Sequence, residues 1–191
     1  MPVSMFAAGL RIAPIILFCS WGAAVQDAYA GGGVATQPML PRFASLKWEK
    51  TNVRVGPGTQ YPIRWIYQRQ GLPVETIAEF GNWRRISGSD SSDGWVHAAL
   101  LSARRTALAA PWSAISINLR ARPSDRAAVV ARLQPRVLTH AKRCDRTWCA
   151  VDVPEHDLQG YVQQVKLWGV YPDELVRRAR RQLFNPIKRT E

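Results

Sequence analysis

Long apolar runs, histidine, cysteine and acidic side chains are all scarce in this chain, and each scarcity narrows what the protein can be. The longest apolar stretch starts at Ile12 and continues through Phe18, Cys19, Trp21 and Ala24 to Val25, holding a proline and a glycine. A membrane-spanning helix needs about 20 apolar residues, so this run is too short to be one. His97, His140 and His156 are the only histidines, and Cys19, Cys144 and Cys149 the only cysteines. Their spacing matches no strong zinc-ligand pattern. A Cys144–His140 nucleophile is undercut by Cys149 five positions on, because a disulfide-bonded sulfur cannot attack. The carboxylates offer no acid–base pair. Asp90 and Asp93 sit in a serine-rich loop, and Glu155 and Asp157 flank His156 in the matching loop; both clusters read as solvated turns. The expectation is a protein without catalytic residues, metal or cofactor.

Acidic residues number 14 against 26 lysines and arginines, giving a net charge of +12 and a pI near 10.5. That balance favours an anionic partner. The start of the chain narrows the choice. Arg11, the apolar run and Ala28-Tyr29-Ala30 are the basic, apolar and small-residue parts of a secretory signal. Residues 1–30 are therefore expected to be a signal peptide cleaved after Ala30, making the protein periplasmic or secreted. Bulky Phe18 before Cys19 argues against a lipid anchor. Export disfavours nucleic acid and leaves cell-wall polymer, acidic lipid or an acidic envelope protein as partners. Past the signal two cysteines remain, an even number suited to a compartment where disulfides persist.

The chain also repeats itself. Asn52-Val53-Arg54-Val55-Gly56-Pro57 returns as Asn118-Leu119-Arg120-Ala121-Arg122-Pro123, 66 positions later. Trp83 answers to Trp148, a shift of 65, and Gly94-Trp95-Val96 to Gly160-Tyr161-Val162, a shift of 66. Within each copy short β-branched and aromatic segments alternate with Gly, Pro, Asn and Ser, the pattern of a small all-β barrel. Strands are expected at 51–55, 63–67, 72–78, 83–87 and 94–97, then at 114–120, 129–133, 137–142, 148–153 and 159–162. Residues 98–101 suit a single helical turn, and His97 a packed or turn-capping role.

The predicted organisation is a signal at 1–30, a loose arm at 31–41, one module at 42–110, a second at 111–171, and a basic tail at 172–191. The segment 104–111 is read as a last strand of the first copy or a tight linker. In the tail, acids Asp173 and Glu174 precede Arg177, Arg178, Arg180 and Arg181, as a helix dipole prefers. A short C-terminal helix is expected over 173–184, docked on the adjacent module or lying on an anionic membrane surface.

The repeated unit resembles the bacterial SH3-like (SH3b) domain family. Asn52-Val53-Arg54-Val55-Gly56-Pro57-Gly58 is similar to the family's N-x-R-x-G-P-G opening, and Trp83 and Gly94-Trp95-Val96 to its later tryptophan and closing G-W-V. Residues 43–104 follow the pattern closely, with Tyr61-Pro62, Trp65 and Leu72-Pro73-Val74. The second copy departs, with Ala121-Arg122-Pro123 in the loop and Tyr161 for tryptophan. The resemblance implies two tandem SH3-like barrels, of the exported subgroup that carries such domains in pairs with no catalytic domain. It implies a non-enzymatic envelope module that binds peptidoglycan or its stem peptide, with a protein–protein scaffold as the rival.

Residue roles follow from these readings. Gly56, Pro57 and Gly58 should form a sharp loop. Trp83, Trp95, Trp148 and Tyr161 are assigned to the cores. SH3-like folds present loop and strand aromatics in a groove, which points to Tyr61, Trp65 and Tyr67 in the first copy, Trp65 serving equally well as core. Cys144 and Cys149 correspond to Glu79 and Arg84 of the first copy, flank a hairpin, and should form a disulfide.

Overall fold

A computed structural model describes residues 39–177, so the expected signal, most of the arm and residues 178–191 lie outside the described residues. Two antiparallel sheets follow one another, each curled around its own core. The first holds β1 (Arg42–Leu46), β2 (Lys50–Arg54), β3 (Ile63–Gln68), β4 (Pro73–Phe80), β5 (Trp83–Ser87), β6 (Asp93–His97) and β7 (Leu101–Ser102). Their order is β3-β2-β6-β5-β4-β1-β7. The second holds β8 (Thr106–Ala109), β9 (Ile117–Arg120), β10 (Val129–Leu133), β11 (Leu138–Asp145), β12 (Trp148–Val153), β13 (Leu158–Gln163) and β14 (Leu167–Trp168). Its order, β10-β9-β13-β12-β11-β8-β14, repeats the first strand for strand. Even the bulge recurs: the β4–β5 register slips between Thr76 and Ala78, the β11–β12 register between Ala141 and Arg143.

These strands arise from alternation on a barrel with one buried face. Along β2, Thr51 and Val53 are buried while Asn52 is exposed. Along β6, Gly94 and Val96 are buried between Asp93, Trp95 and His97. The first core gathers Leu46, Val53, Val74, Ile86 and Val96, with Trp65, Tyr67, Leu72 and Leu101 packed against it. The second draws on Leu119, Leu133, Val151, Val153 and Val162 among others.

Three expectations are corrected. First, Thr106–Ala109 is neither a last strand of the first copy nor a linker. It pairs with β11 and β14 and opens the second barrel, so the crossing between barrels falls at residues 103–105. Strand β8 carries no alternation in sequence because all four of its residues are buried. Second, the tail does not begin as a helix. Pro172 and Asp173 make a turn, and β15 (Leu175–Val176) pairs with Asp145 and Cys144 of β11. Burial of Val176 at 7% exposure outweighs the dipole preference of a short helix that would have no core to rest on. Third, the cores are aliphatic. Trp83, Trp95 and Tyr161 are only half-buried, and of the four assigned aromatics Trp148 alone is buried. Period two decides this: the neighbours Ile86 and Val96 take the inward positions of β5 and β6.

The expected single turn is present as a 3-10 turn at Ala98–Leu100, and the ring of His97 caps it, accepting from the N–H of Ala99 at 3.2 Å. The barrels touch along an aromatic seam. Phe43 of β1 packs edge-on against Trp168 at 5.2 Å and in a tilted arrangement against Tyr171 at 4.7 Å. The Tyr171 hydroxyl donates to Glu75 Oε1 of β4 at 2.7 Å. Arg105 donates to the Phe43 carbonyl and ion-pairs with Glu174.

Candidate functional site

In the first barrel, the loop from Val55 to Pro62 leaves β2 and returns as β3. Arg54 pins it by donating to the carbonyls of Thr59 at 3.0 Å and Tyr61 at 2.6 Å. Gly56 and Gly58 do not take positive φ, so the loop does not need glycine for its backbone angles there. Gly56 is needed for space, since a Cβ there would lie 2.5 Å from the Tyr61 ring. The tyrosine thus lies flat on glycine backbone with 39% of its surface exposed.

Trp65 and Tyr67 follow on β3, on one face as period two requires. Their rings meet edge to face at 6.3 Å. Both are half-buried, with one side on the core and the other toward solvent. The Tyr67 hydroxyl reaches Ser92 Oγ at 3.4 Å, and Arg64 lies over the Trp65 ring at 5.4 Å. The β5–β6 loop closes this end of the barrel. Asp90 turns it, and hydrogen bonds from the side chain and N–H of Ser92 hold its carboxyl below the ordinary range against the opposing effect of burial.

Asp93 is more than a solvated turn residue. Its carboxylate accepts from Arg85 Nε at 2.8 Å and from Arg64 at 3.4 Å, tying β3 to β5 across the barrel mouth. Cross-strand register sets Arg54, Trp95 and Arg85 in one row on the adjoining outer face. Arg54, Arg64, Arg85 and Asp93 were missed as a set because their spacing in sequence carries no motif; only strand pairing assembles them.

Register also identifies the counterparts in the second barrel. Val53 faces Trp65 as Leu119 faces Ala131, and Thr51 faces Tyr67 as Ile117 faces Leu133. Arg120 donates to the Ala127 carbonyl as Arg54 does to that of Tyr61. All three candidate aromatics are therefore replaced, by Ala127, Ala131 and Leu133. A depression of about 470 Å³ on the second barrel, lined by Lys142, Arg143, Asp152, Gln159 and Tyr161 among others, has no such aromatic set. Its Lys142 is engaged by Asp152.

Cys144 and Cys149 are joined in a disulfide, so neither is a thiolate for metal or catalysis. His140 is half-buried on β11; burial, then Arg104 and Lys142, hold its pKa below the ordinary value. Among the described residues no cluster of His, Cys, Asp and Glu is placed to hold a metal ion, and no helix is long and apolar enough to cross a membrane.

Two curled antiparallel sheets of this order, each with a basic, aromatic mouth or its remnant, are tandem SH3-like domains. The chain belongs to the bacterial SH3 domain family, whose pattern matches it twice, over residues 47–103 and 115–169. No curated protein matches it. Among solved structures it is similar to NlpC2 from Trichomonas vaginalis, at 10% identity and a TM-score of 0.29 over 67% of this chain. NlpC1 from the same organism gives 11% identity and 0.29 over 70%. The chain spans 48% of the length of each.

Proposed function

We propose that this protein is a non-enzymatic, exported binding module of the cell envelope, whose first barrel takes peptidoglycan or its stem peptide at Tyr61, Trp65 and Tyr67. One observation carries the reading. The first barrel keeps three solvent-touching aromatics around a pinned loop, and the second replaces every one of them with a small or aliphatic residue in the same register. Aromatic rings present flat apolar faces that suit sugar rings and peptide side chains, while their polar edges orient the ligand. Arg64 and Arg85 add positive charge beside them, matching an anionic polymer. The Cys144–Cys149 bridge is of the kind that persists in an oxidising compartment, which suits the proposed export.

Sedimentation of the purified protein with insoluble peptidoglycan across a salt series tests this. Retention that persists well above physiological ionic strength is expected of a fitted site. Loss of binding by about 0.15 M salt, where the Debye length is about 8 Å, would reduce the interaction to net charge.

A further inference from the structure

The register that aligns the two barrels also shows where their outer faces part. Strand pairing sets Arg54, Trp95, Arg85 and Ala78 in one row across the first sheet. The same row of the second sheet is Arg120, Tyr161, Ala150 and Arg143. The arginine and the alanine at its far end have exchanged strands. In the adjacent row, Asp93, Ser87 and Glu75 give way to Gln159, Asp152 and His140.

In the first barrel the face is occupied by its own ion pair, Arg85 donating from Nε to Asp93 at 2.8 Å. The second barrel has neither group. Ala150 adds only a methyl where Arg85 stands in the first, and the depression of about 470 Å³ lies here, with Ala150 and Gly160 in its lining. The register slip between Ala141 and Arg143 turns two successive residues, Lys142 and Arg143, outward together. At the matching slip the first barrel presents Ile77 and Ala78, so both cations belong to the second alone. Lys142 is paired with Asp152. Arg143 is exposed and has no ion-pair partner among the described residues. Its charge acts on Asp145, whose carboxylate already accepts from the N–H groups of Thr147 at 3.0 Å and Trp148 at 2.8 Å. Half-buried Tyr161 and exposed Gln159 complete the lining.

We propose that this depression binds an acidic sugar, a pyranose carrying a single carboxylate. Small-ligand sites are concavities of about 300–1,000 Å³ with a few convergent polar groups, and this one is of that kind. The Tyr161 ring offers an apolar surface to the C–H face of a sugar. Sugar hydroxyls meet an acceptor in the Asp152 carboxylate and both a donor and an acceptor in the Gln159 amide. The planar guanidinium of Arg143 matches a carboxylate with two parallel hydrogen bonds. Charge sets the valence. Two cations and one carboxylate line the depression, which suits a monoanion, whereas the second charge of a phosphate would be set against Asp152. The site lies on the other barrel from Tyr61, Trp65 and Tyr67 and does not depend on what they bind.

The probes are glucuronate, glucose and glucose 6-phosphate, which differ only in bearing a carboxylate, a hydroxymethyl or a phosphate ester at the end of one skeleton. Each is titrated into isotope-labelled full chain at about 0.15 M salt, where long-range charge is screened, while amide shifts are followed. Saturable shifts are expected with glucuronate at residues 142–143, 150–152 and 159–161, and none at residues 61–67. Glucose and glucose 6-phosphate are each expected to bind roughly tenfold more weakly or worse. Arg143→Ala, an exposed substitution that installs the first barrel's residue, should weaken glucuronate binding roughly tenfold with an unchanged melting temperature. Ala150→Arg refills the depression as Arg85 fills the first barrel and should abolish binding; if that variant misfolds, Arg143→Ala still decides. Shifts scattered over the basic surface or absent from the depression would overturn the proposal. So would glucose or glucose 6-phosphate binding as tightly as glucuronate, or native binding by Arg143→Ala. Peptidoglycan retention, read through Tyr61 of the first barrel, is a separate measurement, so either site can fail alone.

Discussion

Cys144 and Cys149 face each other across the β11–β12 hairpin with Cα atoms 4.1 Å apart, at the register where Glu79 and Arg84 of the first barrel form an ion pair of 3.1 Å. One cross-strand position is thus closed covalently in one barrel and by charge in the other. The disulfide also anchors β15, whose Val176 pairs with Cys144. Closing so short a loop stabilises by about 2 kcal/mol in the chain-entropy account. A Cys144→Ser, Cys149→Ser double variant should therefore melt several degrees lower. Thiol titration of the unfolded, unreduced full chain should find Cys19 alone; two further thiols would show that the bridge does not form.

The aromatic mouth predicts a graded response. Tyr61→Ala removes an exposed ring resting on glycine backbone and should weaken peptidoglycan retention with little change in melting. Trp65→Ala should do both kinds of damage. Its stability cost should fall below the ~3–5 kcal/mol of a fully buried tryptophan, because one side of the ring faces solvent. Retention by the Tyr61→Ala variant equal to that of the native chain would remove this tyrosine from the site.

Gly94 marks where β6 crosses close over β2. A Cβ at this position would lie 2.5 Å from Val53 Cγ1 and 3.0 Å from the Arg54 carbonyl oxygen. Gly160 repeats the approach, 2.7 Å from the Arg120 carbonyl oxygen. Gly94→Ala should cost about 1–3 kcal/mol by overpacking, and Gly160→Ala a similar amount. Denaturant unfolding of the two variants checks this, and a native midpoint for either would contradict the close crossing.

Tyr171 predicts a loss of stability at alkaline pH. Burial first, then its hydrogen bond to Glu75, raise its pKa above the ordinary value of 10.0. The unfolded chain releases that proton earlier, so the contribution is complete below pH 10 and is lost as pH rises through the folded value. Tyr171→Phe should lower stability at neutral pH by about 1 kcal/mol, the usual worth of a hydrogen bond, and flatten the alkaline decline. An unchanged decline in the variant would place its origin in another group.

The sequence alone determined that this is a tandem all-β protein of bacterial SH3 type, because those features are local or periodic. Turn glycines, two-residue alternation and a 66-residue echo survive in a linear string, and the echo sets Cys144 and Cys149 on either side of a hairpin. What it could not decide depends on which strands become neighbours. Strand β8 was misassigned because a segment buried on both faces has no alternation to display. Trp83 and Trp95 were assigned to the core by size, yet inward positions are fixed by phase, and Ile86 and Val96 held them. Asp93 became a clamp between two arginines only when the sheet curled. Leu175 and Val176, helical by the charge order around them, are instead a strand against Asp145 and Cys144, where Val176 joins the second core. Local propensity is worth tenths of a kilocalorie per residue, whereas burying one valine side chain is worth about 1.5–3 kcal/mol, and that difference gave tertiary packing the final decision.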